Sequence, residues 1–323
     1  MHFSAQWPAQ MGSPDLAHLQ AGWSEEFGGR PLVFEAADGA ALRGCVFEPR
    51  QTARAVAVVA PATGVPQGYY RAFALWLASR GYAVLTFDYR GMGHSRAAPG
   101  PSLRNWVRLD LSAALAAARQ RAGQGVNRLP LVWVGHSLGG NGLPLIEGLV
   151  HLDAAVTLGS QFGYWGLWPS GWRRQLTRFF FSTWIPAWVR STGRLPGWAL
   201  GGGEALPAAA ALDWARWGVS PGYFLDDPEC QSWYRPEDFR GQLQLWSLSD
   251  DLTYGPPEAV NALADCFQRV GAKVERFHLR PEEVGLPSLG HFGPFRRTAA
   301  ERLWPLLLER LEARVPQLSG AAA

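Results

Sequence analysis

Lysine is almost missing from this chain. Lys273 is the only one, and arginine carries nearly all the positive charge, a compositional bias that needs no functional explanation. Cysteine is also scarce: Cys45, Cys230 and Cys266 stand far apart without C-x-x-C spacing. That excludes a cysteine metal framework and a disulfide-stapled fold, and it fits a reducing compartment. No apolar run approaches the roughly 18 residues needed to span a bilayer. The nearest, Phe179 to Val189, is short and bracketed by Arg178 and Arg190. A strong charge of one sign is absent too. Thirty basic against 27 acidic residues leave a net +3, and no arginine cluster interleaves with aromatics in a nucleic-acid-binding pattern, so a nucleic-acid partner is not expected. The opening Met-His-Phe-Ser-Ala-Gln-Trp-Pro lacks a basic segment followed by an apolar core. No signal peptide is therefore expected, and the default location is the cytoplasm.

What is present describes a globular chain with a sizeable core: 47% hydrophobic and 18% charged residues over 323 positions. Residues 1–30 show no periodicity and read as an irregular lead-in. Pro31 to Ala37 and Ala41 to Phe47 flank Asp38-Gly39, a favoured hairpin pair, and predict two antiparallel strands. Ala55 to Ala60, Tyr82 to Phe87, Leu131 to His136 and Ala154 to Leu158 are short apolar runs of the type covered on both faces. Helical spacing between them covers Tyr69 to Arg80 and Leu103 to Arg121. After an irregular stretch the alternation resumes with a strand at Gln242 to Leu248, a helix at Pro257 to Gly271 and a strand at Lys273 to Leu279. A last helix is predicted from Pro294 to Arg314 and a flexible tail over 315–323. The pattern predicts an α/β fold, a mostly parallel doubly wound sheet with helices on both faces. Sites in such sheets gather at the carboxyl ends of the strands.

One of those ends carries Gly135-His136-Ser137-Leu138-Gly139, a G-x-S-x-G turn between a buried strand and the apolar stripe Leu143, Leu145, Ile146 and Leu149. A serine at the tip of a tight strand-to-helix turn is forced out of the backbone into a cleft, and its neighbours must be small because the chain folds back on itself. A hydroxyl there becomes a nucleophile only with a base in reach and a carboxylate to orient that base. Among seven histidines, His291 is the best placed, in Leu289-Gly290-His291-Phe292-Gly293 after the last strand; His94, on a loop after a strand, is the alternative. For the acid, Asp250 and Asp251 follow the strand Gln242 to Leu248. Asp250 is favoured because it lies three residues beyond Ser247, taken as the strand end. Asp251 is the alternative, and Asp226 and Asp227 are weaker candidates.

The order Ser137, Asp250, His291 resembles that of the α/β-hydrolase fold. The resemblance covers about residues 31 to 314 apart from the irregular middle segment. Asp88, Arg90, Gly91, Gly93 and Ser95 match a further hallmark, D-x-R-G-x-G-x-S, which is structural in that family. Ala62-Thr63-Gly64 together with Gly290 to Arg296 resembles a bacterial group of predicted hydrolases without a defined substrate. The resemblance implies an oxyanion hole from the backbone N–H groups of Leu138 and Thr63, with Gly64 as an alternative to Thr63. Pro61-Ala62 departs from the His-Gly of many esterases at this place.

The resemblance also places a lid where residues 161–240 interrupt the alternation, leaving 31–160 and 241–314 as the core domain. Nine of the sixteen tryptophans fall in the interruption, with Phe179, Phe180 and Phe181. They are expected either to line an apolar pocket or to form the cap's own core. Arg173, Arg174 and Arg178 beside aromatics raise membrane contact as a minor reading. The leading expectation is hydrolysis of a small apolar or aromatic ester or thioester through an acyl-enzyme on Ser137, with no cofactor and no metal. An acyltransferase with the same triad and a non-catalytic binding protein are the alternatives. Dehalogenase and epoxide-hydrolase chemistry are disfavoured, because they usually need a carboxylate in place of Ser137. Nothing in the sequence sets the oligomeric state.

Overall fold

Buried and half-buried apolar runs stack side by side because no one of them can cover its two faces alone. In the computed structural model, which describes residues 6–7 and 28–319, they form an eight-stranded sheet. The strands are β1 (Arg30–Glu35), β2 (Ala41–Phe47), β3 (Ala55–Ala60), β4 (Tyr82–Phe87), β5 (Leu131–His136) and β6 (Ala154–Leu158). After two short strands, β7 (Arg194–Leu195) and β8 (Leu206–Pro207), come β9 (Gln242–Leu248) and β10 (Lys273–Leu279). The order is β1-β2-β4-β3-β5-β6-β9-β10. β2 runs antiparallel to both β1 and β4, and every other pairing is parallel. β3, β4 and β5 are buried along their whole length.

Each face of the sheet has its own core. Helices Arg71–Ser79 and Leu303–Glu312 cover one, where Phe73 packs edge-on against Trp304 and Phe295. Helices Leu111–Ala122 and Pro257–Gln268 lie on the other with Trp106 and Trp133. Between β6 and β9 the chain leaves the sheet and builds a helical, aromatic cap, including Trp172–Phe179, Ile185–Thr192 and Ala208–Val219.

Several local predictions need correction. The helix expected over Leu103 to Arg121 contains a π turn at Trp106–Asp110, which brings the buried Asp110 carboxylate to the backbone N–H and Nε of Arg90 at 2.8 and 2.7 Å. The helix after Ser137 spans only Leu138–Asn141. It then breaks into a short turn at Leu143–Leu145, where Gly142 and Pro144 oppose helical continuation. The terminal helix starts at Leu303 rather than Pro294. The indole of Trp304 donates to the Pro294 carbonyl at 2.7 Å, tying the preceding turns down. Within the expected tail 315–323, Pro316–Ser319 form a turn of helix with Val315 and Leu318 buried, and 320–323 lie outside the described residues. The lead-in falls outside the described residues except at 6–7 and 28–30. Trp7 is buried there and donates to Glu48 at 2.6 Å.

Candidate active site

β5 ends in a turn with no room for side chains. A Cβ on Gly135 would stand 2.7 Å from the Gly139 carbonyl, and one on Gly139 would stand 2.2 Å from that of Ala60. The crowding forces Ser137 to φ +51°, a conformation that costs energy for any residue with a side chain. The turn is held by Ser137 N–H donating to Leu158 of β6 at 3.1 Å, and by its carbonyl accepting from Gly140 and Asn141. Ser137 is thereby fixed at the carboxyl edge of the sheet, at the start of a helical turn whose first N–H groups lack intrahelical partners.

His291 and an aspartate meet at the same edge, and the aspartate is Asp251. His291 Nδ1–H donates to Asp251 Oδ2 at 2.6 Å, with both side chains buried, and Asp251 Oδ1 accepts the Tyr254 N–H at 3.1 Å. Asp250, favoured from the sequence, does not reach the ring. Its Oδ2 accepts the backbone N–H groups of Leu289 and Gly290 at 2.8 and 2.9 Å, and so secures the loop that presents His291. The reason is register. β9 runs through Leu248, not Ser247, and the turn closes with Asp251 N–H on the Leu248 carbonyl at 3.1 Å. Three residues beyond the true strand end is Asp251. Gly159 makes space for the pair, since a Cβ there would lie 3.0 Å from His291 Nδ1 and 3.2 Å from Asp251 Oδ2.

A second buried network joins the turn to both neighbouring loops, and sequence reading did not find it. Ala62 N–H donates to the Tyr70 hydroxyl at 2.8 Å, which donates to His136 Nδ1 at 2.7 Å. His136 Nε2–H donates in turn to the His291 carbonyl at 2.9 Å. Burial, with His291 nearby, holds His136 well below the ordinary histidine range, so its ring is neutral and each nitrogen has one role. The signal was present in the sequence as a histidine inside the turn and Tyr69-Tyr70 after the β3 loop, but the pairing is long-range. Because the Ala62 N–H is engaged by Tyr70, it is not available to a substrate, whereas Thr63 lines the cavity.

The other candidates are placed elsewhere. His94 bonds Asp88 at 3.0 Å, and Asp88 also accepts the Gln67 N–H at 2.7 Å. Arg90 is clamped by Asp110 and Asp38, and the Ser95 hydroxyl donates to the Asp88 carbonyl at 2.8 Å. The D-x-R-G-x-G-x-S segment is thus a structural knot. His278 pairs with the Ser247 hydroxyl at 2.9 Å, and Asp227 accepts from Arg104 and Trp217 at 2.8 Å each.

Ser137 and His291 open into a cavity of about 240 Å³ whose wall is mostly apolar. The core contributes Thr63, Tyr254 and Phe292; the segment from residue 161 onward contributes Gln161, Trp168, Leu176, Phe180, Phe181, Leu200 and Trp214 among others. Phe179 instead faces outward and is about half exposed. Trp184, Trp188 and Trp198 pack on one another, and the Phe180 ring stacks on Trp184 at 5.3 Å.

Residues 51–226, more than half the chain, match the family model described as serine aminopeptidase, S33. The chain belongs to this family of α/β-hydrolases. Its chemistry is of the general serine-hydrolase, esterase-like kind. The family match includes Ser137 and much of the cap but stops before Asp251 and His291. Solved structures of similar fold include an esterase from Pyrococcus furiosus, with TM-score 0.58 and 13% identity over 97% of this chain and 100% of that one. A soluble variant of a monoglyceride lipase from Saccharomyces cerevisiae, solved with a substrate analog, gives 0.57 and 13% over 87% and 94%. An acylaminoacyl peptidase from Pyrococcus horikoshii gives 0.53 and 14% over 89% of this chain. The chain spans only 42% of that peptidase. Identities this low speak to the fold alone. No curated protein sequence matches the chain. Among the described residues, no helix is long and apolar enough to cross a membrane.

Proposed function

We propose that the protein hydrolyses an ester or thioester with an apolar acyl or aromatic part through an acyl-enzyme on Ser137, with residues 161–240 as its cap. The observation that carries this reading is the buried Asp251–His291 pair opening, together with Ser137, into one apolar cavity. In this mechanism Asp251 holds the Nδ1–H tautomer of His291, leaving Nε2 to take the Ser137 hydroxyl proton as oxygen attacks the carbonyl carbon. The tetrahedral oxyanion is met by the N–H groups of Leu138 and Thr63, each such donor being worth about 3 kcal/mol in comparable sites. Imidazolium then protonates the leaving alcohol or thiol, and the neutral ring activates water for deacylation.

Fluorophosphonate labelling tests the nucleophile. Native protein is expected to label, and Ser137→Ala and His291→Ala to fail while keeping the native circular dichroism spectrum. p-Nitrophenyl esters of graded chain length should be turned over best with apolar acyl groups. Folded native protein that resists the probe would overturn the catalytic reading, and faster turnover of acetyl or charged esters would overturn the apolar preference.

A further inference from the structure

Among the described polar side chains on the wall of the catalytic cavity, one has no task in the triad chemistry and a buried atom without a partner. Gln161 stands two residues beyond Gly159, the glycine that cradles the Asp251–His291 pair, and it lines the same cavity as Ser137 and His291. It is only 9% exposed. Its backbone carbonyl accepts from Asn141 Nδ2 on the turn that follows the serine, so its stem is anchored to that turn. Its side-chain Oε1 is buried without a hydrogen-bond partner.

Burying an amide oxygen unpaired is unfavourable, and the cost is removed when a donor arrives. Other orphaned atoms nearby, Asn141 Oδ1, Thr157 Oγ1 and Ser160 Oγ, belong to residues that do not line the cavity; Ser160 and Thr157 crowd Gly140 behind the turn. The other polar wall residues, Thr63, Thr177, Thr253 and Tyr254, have no buried side-chain oxygen without a partner, and the Thr177 hydroxyl donates to the Arg173 carbonyl at 2.9 Å. Gln161 alone combines an unpaired buried polar atom with a place on the cavity wall among the described residues.

We infer that Gln161 is a specificity-determining residue that binds a hydroxyl group on the substrate, so that the substrate is an apolar ester bearing a hydroxyl. A hydroxyl both donates and accepts, so it pairs with the carboxamide whichever way the amide is turned. This inference rests on the ester-hydrolase reading. The hydroxyl has two sources, the acyl chain or the alcohol, and one experiment separates them. The acyl arm compares p-nitrophenyl β-hydroxyhexanoate with p-nitrophenyl hexanoate. The alcohol arm compares hydroxyethyl octanoate with propyl octanoate, in which a methyl replaces the hydroxyl.

The native enzyme should favour the hydroxylated member of one pair by about tenfold or more in kcat/KM, the worth of one buried hydrogen bond. The arm that responds identifies the source. Gln161→Met, close in length and without a carboxamide, should erase that ratio, and Gln161→Asn, too short to reach, should reduce it. Reaction with fluorophosphonate monitors the assembled triad in each variant. A native ratio near one in both arms overturns the inference, as does a ratio that survives in Gln161→Met, or labelling without turnover of either pair. If native protein neither labels nor cleaves the unsubstituted esters, the hydrolase reading itself fails; if it does both without a hydroxyl preference, only the role of Gln161 fails.

Discussion

The carboxyl edge of the sheet and the cap are built on opposite terms. At the edge, positions are fixed by directed hydrogen bonds between buried groups: Asp251 on the His291 ring, Asp250 on its loop, and the series Ala62, Tyr70, His136 and His291 carbonyl. In the cap, order comes from aromatic faces, with Phe180, Trp184 and Trp188 stacked and Trp198 and Trp214 meeting this group edge-on. A hydrogen bond loses its worth within a few tenths of an ångström, whereas ring packing tolerates sliding. Chemistry that needs a proton at one atom therefore belongs to the edge. Discrimination by shape belongs to the cap.

The sharpest break of that comparison is within the edge itself, between two adjacent carboxylates. Asp251→Asn should lower kcat on p-nitrophenyl esters by on the order of 10⁴-fold with KM little changed, because the amide favours the wrong histidine tautomer. Asp250→Asn keeps an oxygen for the two backbone N–H groups and should cost only about tenfold, with a lower melting temperature. Equal effects in steady-state kinetics, or the reverse order, would refute the division of roles between them.

A smaller effect separates the edge from the cap through pH. His136 is buried and neutral, held below its ordinary value of 6.5. As pH falls through 6.5 the unfolded chain binds a proton that the native state refuses, so stability is present above that pH and is lost below it. Below pH 6.5, urea unfolding should show this site contributing a loss that steepens toward a limit of about 1.4 kcal/mol per pH unit. The contribution is the difference in slope between native protein and a His136→Gln variant. Identical slopes would show that the ring takes up its proton as readily in the native state as in the unfolded chain, and the series of bonds through Tyr70 would then need another arrangement.

How far the edge was readable from the sequence follows from the same contrast. Ser137 and His291 announce themselves locally, through small neighbours in a tight turn and after a last strand, and the apolar runs give the sheet away. Asp251 ranked second to Asp250 because adjacent residues face opposite ways and the count of three residues began at Ser247 rather than at Leu248, where the strand ends. Tyr70 and His136 meet only through the fold, 66 positions apart in the chain. The helix expected after Ser137 followed the spacing of Leu143 to Leu149, yet Gly142 packs against Leu111 and Val107 and Pro144 lacks an N–H, so backbone chemistry prevailed over periodicity. Within the cap, composition announced aromatic packing but not its direction: Phe180 and Phe181 face the cavity and Phe179 faces away.

The smallest predicted effects lie in the cap, and they test whether it controls shape alone. Trp184 is half-buried, stacked on Phe180 at 5.3 Å and on Trp188 at 5.4 Å, with Phe180 itself on the cavity wall. Trp184→Ala should destabilise by about 2 kcal/mol and shift the preferred acyl chain length by a few-fold in kcat/KM, through movement of Phe180. Trp198 is 67% exposed and touches Trp184 and Trp188 only edge-on, so Trp198→Ala should change the same ratios by less than about twofold. Neither variant should alter the rate of fluorophosphonate labelling, since the probe reads the edge and its small phosphoryl group makes little use of the cap. If Trp184→Ala slowed labelling as much as it changed chain-length preference, the aromatic stack would be positioning the triad as well as shaping the cavity, and the separation of the two regions would not hold.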